Sequence, residues 1–180
     1  MTQGGRANAN GKIFEEQLIP LFRRNGYVVI KHSEWKSDEE LIAKIQKGNA
    51  RTKKEPRRYR DVEKLVICQY PFDSIYEHTG KTEFLIINKP KDRVIRVECK
   101  WQQDAGSVDE KFPYMYLNCV YGYEEVEIIL IVDGGGYKDG ARNWLKKVIA
   151  DKWLIDEDNP KAIRLMTISE FTAYFNSHLA

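Results

Sequence analysis

Hydrophobic positions along this chain change their period several times, and each change predicts an element. Asn10 and Gly11 open a helix on which Phe14, Leu18, Leu21 and Phe22 recur at helical spacing; Pro20 should bend this helix or end its regular part, and Asn25 and Gly26 close it. Tyr27 to Ile30 reads as a short buried strand. Asp38 to Lys47 carries Leu41, Ile42 and Ile45 on one helical stripe and stops at Gly48 and Asn49, whereas 50–60 has too few apolar residues to pack and is expected to be a partly mobile loop. A shorter period follows. Leu65 to Ile67 predicts a strand and Pro71 to Asp73 a turn or strand edge. Thr82 to Asn88 and Arg93 to Trp101 predict two strands joined by the tight, charged turn Lys89-Pro90-Lys91-Asp92.

The second half alternates strand and helix signals. Ser107 can cap a helix running through Asp109 and Glu110 toward Asn118. Val126 to Val132 is a β-branched apolar run of the kind covered on both faces, and it ends at Gly134, Gly135 and Gly136. Trp144, Leu145, Val148 and Ile149 predict a helix over Ala141 to Trp153. Ile163 to Met166 is a last short strand, and Thr167-Ile168-Ser169-Glu170 is a capping box that opens the final helix. The pattern predicts a single α/β domain over residues 1–180, with a mixed central sheet of four to five strands, flanking helices and a basic helix-loop insertion at 36–60.

The hairpin carries the chemistry. Side chains alternate along a strand, so Arg96, Glu98 and Lys100 share one face while Ile95, Val97 and Cys99 point into the core. A turn about Pro90 and Lys91 makes the numbers of opposed residues sum to 181, which sets Glu83 across from Glu98. Opposed Cβ atoms lie roughly 4.5 to 5.5 Å apart, close enough for two carboxylates to repel. A divalent cation between them would offset the repulsion, since Mg²⁺ favours one or two carboxylates plus phosphate oxygens, and Lys100 on the same face could neutralise an attacked phosphate or orient a water. The competing reading is an ordinary surface salt-bridge ladder, because slipping the register by one residue moves Glu83 to the other face.

Composition narrows the class. The chain has 180 residues, 42% hydrophobic and 31% charged, and no window approaches the roughly 18 consecutive apolar residues of a membrane span, so a soluble protein is expected. The first twelve residues lack the features of a secretory signal, which points to the cytoplasm. Cys68, Cys99 and Cys119 lack metal-ligand spacing and read as reduced, mostly buried thiols. The net charge of +2 says little as a total, but Lys44, Lys47, Arg51, Lys53, Lys54, Arg57, Arg58 and Arg60 face only Glu55 within 44–60. Such a one-signed stretch suits a polyanion such as DNA. Lys138, beside the glycine cluster, is a further candidate for phosphate contact, although that cluster reads equally well as a permissive turn.

Val97-Glu98-Cys99-Lys100, with an acidic residue on the preceding strand and a glutamate on the first helix, resembles the PD-(D/E)XK nuclease superfamily. Glu98 and Lys100 match the (D/E)-x-K half-motif. Gly11-Lys12-Ile13-Phe14-Glu15, with Leu18 and then Gly26-Tyr27, is similar to the opening helix of archaeal-type Holliday junction resolvases, which implies that Glu15 supports the metal. The superfamily's first acid is usually an aspartate in a Pro-Asp pair, and this chain departs from that. Glu83, in Gly80-Lys81-Thr82-Glu83-Phe84, and Asp73, in Pro71-Phe72-Asp73, compete for the role, with Glu83 preferred on register. Residues 98–111, ECKWQQDAGSVDEK, and the stretch from Asp133 to Trp144 resemble a phage and bacterial nuclease-like group. There Gln102, Gln103 and Lys111 would lie near the substrate phosphate or assist the metal site. The resemblance implies a restriction-endonuclease-like core, Mg²⁺ or Mn²⁺ as cofactor, a DNA substrate and endonuclease activity, with a homodimer suited to cutting both strands. The alternatives are a DNA-binding module that keeps the fold without catalysis, and a nuclease directed at RNA.

Overall fold

Six strands lie side by side in chain order: β1 (Val28–Lys31), β2 (Lys64–Asp73), β3 (Thr79–Asn88), β4 (Arg93–Trp101), β5 (Glu127–Asp133) and β6 (Ala162–Met166). The structure is a computed structural model and describes residues 14, 16–48, 56–103 and 108–180. Asn10, Gly11, Glu15, Arg51, Lys53, Lys54, Ser107 and most of the expected 50–60 loop lie outside them. β2, β3 and β4 form an antiparallel meander, whereas β1 runs parallel to β2, and β4, β5 and β6 run parallel to one another. Parallel neighbours cannot be joined by a tight turn. The chain therefore crosses over through α2 (His32–Gln46) between β1 and β2, α3 (Val108–Leu117) between β4 and β5, and α4 (Asp139–Ala150) between β5 and β6.

Two apolar cores sandwich the sheet. On one face, Phe14 and the helix over 16–24, α1, bring Leu18, Leu21 and Phe22 against Phe171 and Phe175 of α5 (Ile168–His178) and against Phe84, Ile86, Ile95, Val97 and Ile129. On the other, Phe112 and Tyr116 of α3 and Leu145 of α4 pack on Ile128, Leu130 and Val132. β5 is thus covered on both sides, as its unbroken β-branched run requires. A smaller cluster of Ile30, Leu65, Ile67 and Leu85 is capped by Tyr59.

The sheet has six strands, not the four or five expected, and the differences have local causes. Pro71 to Asp73 continues β2 rather than turning it, with Pro71 paired to Lys81. β1 is an edge strand in which only Ile30 is buried, not a buried strand. α2 begins at His32, before the apolar stripe, because Glu34 Oε1 accepts the Lys31 N–H at 3.2 Å. α1 continues past Pro20 to residue 24. α4 stops at Ala150, and Trp153 lies in the following turn, stacked on Tyr116 at 6.0 Å.

The capping box at α5 forms as read, with Thr167 Oγ1 accepting from Glu170 N at 3.2 Å and Glu170 Oε2 accepting from Thr167 N at 2.7 Å. α5 also delivers residues 178–180 to the β3–β4 turn. Lys91 Nζ donates to the carbonyls of His178 and Ala180, and Asn88 Nδ2 and Tyr27 Oη both donate to the Leu179 carbonyl, at 2.9 and 2.8 Å.

Candidate active site

The β3–β4 hairpin has the expected register, from Asn88 opposite Arg93 to Phe84 opposite Val97. Regular pairing stops there, one residue before Glu83 and Glu98 would face each other. The Cys99 N–H instead donates to Glu83 Oε2 at 2.7 Å. Glu83 is skipped on its other flank too: the β2–β3 pairs pass from Cys68–Phe84 to Tyr70–Thr82, and Gln69, between them, adopts φ +57°. A non-glycine residue in the left-handed region carries strain of about 1 kcal/mol or more. The ladder therefore yields on both sides of the position where carboxylates would otherwise be forced together.

Glu98 and Lys100 face away from the core that holds Val97 and Cys99. Glu98 is 7% exposed. Its Oε1 accepts from Lys100 Nζ, which also donates to the Cys99 carbonyl at 3.2 Å. Glu98 Oε2 is buried and finds no hydrogen-bond partner among the described residues. Glu83, Glu98 and Lys100 line one cleft of about 340 Å³. Its far wall is formed by Lys111, Tyr114 and Asn118, on α3 and the π-turn that follows it (Asn118–Gly122), with Tyr123 just beyond.

Burial raises the Glu83 carboxyl from its ordinary 4.5 to about 7, assisted by the Glu98 charge and opposed by Lys100 and the Cys99 amide. Burial alone would lower Lys100, but the Glu98 and Glu83 carboxylates outweigh it and hold the ammonium above its ordinary range. The Cys99 thiol, desolvated and beside both carboxylates, is pushed well up and is no nucleophile. The cleft thus holds a permanent cation and two neighbouring carboxyl groups, Glu98 buried with an unpartnered oxygen and Glu83 half-buried.

The other candidates divide. Gln102 lines the cleft, anchored by its Nε2 donating to the Gly136 carbonyl at 3.2 Å, and Lys111 lines it from α3. Gln103 is exposed and does not line it. Asp73 ends β2 as an exposed residue paired with Thr79 and borders a different depression. Lys44, Lys47, Arg57, Arg58, Arg60 and Lys138 are all exposed, and Arg57 also donates to Tyr59 Oη at 2.9 Å.

The glycine cluster has a structural task. Gly136 N donates to the Gln102 carbonyl at 2.7 Å, and Gly134 N to Asp133 Oδ1 at 2.8 Å, so these two amides are already engaged. The sequence pattern does not announce Tyr114, Asn118 and Tyr123 as cleft residues. The one local signal is Pro113 inside α3, which precedes the π-turn that aims Asn118 inward.

The profile of the PD-(D/E)XK nuclease superfamily domain matches residues 6–179. The chain belongs to the PD-(D/E)XK nuclease superfamily. No curated protein and no solved structure gives a significant match. Superfamily membership implies a nucleic-acid substrate and usually a divalent metal ion. The residues present fit such an ion, because the unpartnered Glu98 Oε2 and the desolvated Glu83 carboxylate are hard oxygen donors that a cation would satisfy. No group of three His, Cys, Asp or Glu side chains suited to a metal occurs among the described residues. No helix among the described residues is long and apolar enough to cross a membrane.

Proposed function

We propose that this superfamily member is a Mg²⁺- or Mn²⁺-dependent endodeoxyribonuclease formed by one domain. Glu83 and Glu98 would hold the metal, with Glu15 in support, and Lys100 would face the attacked phosphate. The observation that carries this reading is the buried, unpartnered Glu98 Oε2 beside Glu83 and Lys100 in a single cleft. When bound, a divalent cation withdraws charge from phosphate oxygens and makes a neighbouring water more acidic.

Hydrolysis joins a water oxygen to phosphorus and breaks one P–O ester bond, while negative charge builds on the non-bridging oxygens. Lys100 is held protonated by its carboxylate neighbours, so it acts as a fixed positive charge toward those oxygens and not as a base. Gln102, tied to Gly136, and Lys111, on the opposite wall, would contact the flanking phosphate. The exposed cations Lys44, Lys47, Arg58 and Arg60 supply attraction for the DNA backbone outside the cleft. A homodimer would present two such clefts to the two strands.

The test is incubation of plasmid, linear duplex and four-way-junction DNA with the protein in Mg²⁺ and in EDTA. Cleavage that needs the metal and is lost in Glu98→Gln supports the reading. Binding without cleavage of any of these substrates overturns it in favour of a non-catalytic module.

A further inference from the structure

The β2–β3 connection carries an aromatic column that neither the core nor the proposed hydrolysis uses. Tyr76 is 69% exposed, the most exposed of the large hydrophobic side chains among the described residues. Its ring stacks on Tyr114 at 5.0 Å and 25° and lies nearly parallel to His78 at 6.5 Å and 13°. Tyr114 itself lines the cleft that holds Glu83, Glu98 and Lys100. The column therefore runs from the cleft wall out to solvent.

The turn beneath it is fixed. Ser74 N donates to the His78 carbonyl at 3.0 Å, Ser74 Oγ bonds His78 Nδ1 at 2.7 Å, and Tyr76 N donates to Ser74 Oγ at 3.2 Å. Ile75 N donates to Asn118 Oδ1 at 3.0 Å, while Asn118 Nδ2 donates to the Tyr114 carbonyl at 2.8 Å. One buried amide from the cleft wall thus ties the tip of the turn to the helix that bears Tyr114. Glu77 takes φ +57° to complete the turn. An apolar ring held in water by a fixed and partly strained turn gains little for folding, but it is preorganised to receive another flat ring.

We infer that Tyr76, stacked on Tyr114 with His78 beside it, is a stacking platform for an unpaired base of the DNA strand entering the cleft. The preferred substrate is then a duplex with a single-stranded tail or flap rather than a continuous duplex. Every base has a π-face, so such a platform tolerates sequence while selecting for bases free of their own stack. A continuous duplex keeps its bases stacked and offers the ring nothing. This inference rests on the proposed nuclease reading for its substrate, but stacking itself requires no catalysis.

The experiment places 2-aminopurine at successive positions of a single-stranded DNA tail on a duplex and follows its fluorescence with the full chain in EDTA. The expected result is quenching at one or two tail positions, lost in Tyr76→Ala and kept in Tyr76→Phe, with tail affinity falling about 5- to 150-fold in the alanine variant. In Mg²⁺, the ratio of tailed to fully paired cleavage falls with it. No quenching at any tail position, or quenching and affinity unchanged in Tyr76→Ala, overturns the platform even if metal-dependent cleavage is intact. Tyr76-dependent quenching by a protein that cleaves no DNA supports the platform and overturns the hydrolytic reading instead.

Discussion

Glu83 concentrates the conflict on which the site is built. Its carboxyl is raised from 4.5 to about 7 by burial and by Glu98, so the folded chain holds this proton more tightly than the unfolded chain does. The group contributes stability that is fully present below about pH 4.5 and lost as the pH rises through about 7. Thermal melts without metal should therefore show the wild type losing stability between about pH 5 and pH 8 relative to Glu83→Gln, which cannot ionise. Mg²⁺ should raise the melting temperature more at the upper end of that window, where it no longer competes with the proton. A flat difference between the two proteins would remove Glu83 from the carboxylate pair. Lys100 gives a separate expectation. Lys100→Met should lower the cleavage rate about 10²- to 10³-fold, the usual effect of removing one fixed donor to developing charge. Single-turnover rates at saturating protein measure it.

At the scale of elements, the hairpin was the most legible part of the chain. The charged turn at Lys89 to Asp92 and the strict alternation over Arg93 to Trp101 determine both its ends and its register, and the observed pairs follow. The break in that register at Glu83 was not legible, because it depends on an amide of β4 finding a side chain of β3 and on Gln69 in a third strand. The length of β2 was hidden by Pro71, and the start of α2 by Ser33 to Ser37, where Trp35 is the one apolar side chain and makes no stripe to announce a helix. The far wall of the cleft was also invisible, since Asn118 reaches it through a π-turn and no local pattern marks it.

The β4–β5 end is held by the glycine turn, where a Cβ on Gly134 would stand 2.4 Å from the Gln102 carbonyl oxygen at φ +99°. Gly134→Ala should cost about 1–3 kcal/mol of backbone strain, seen as a lower urea midpoint, and should slow cleavage by displacing Gln102. Thr167→Ala, at the distant α5 cap, should cost about 1 kcal/mol and leave the cleavage rate alone.

Over the whole molecule, the proposed function would divide between two regions of unlike charge. The carboxylates lie in the cleft beside α3, and the described cations Lys44, Lys47, Arg58 and Arg60 lie exposed on and after α2, the crossover between β1 and β2. Binding of duplex DNA should accordingly weaken with salt, and replacing Lys44 and Lys47 by Gln should flatten the log–log slope by up to about 0.9 for each phosphate no longer neutralised. Fluorescence anisotropy across a salt series reads this, and an unchanged slope would take α2 out of the DNA-binding surface. Arg57 should contribute least, since it is engaged by Tyr59 and lies 3.9 Å from Glu34.

The bonds from Lys91, Asn88 and Tyr27 to the carbonyls of residues 178–180 also impose an order in time. While the chain is being synthesised, the hairpin that bears both carboxylates lacks these anchors until residue 179 has left the ribosome's exit tunnel. The turn end of the hairpin is thus tied down only after α5 has emerged.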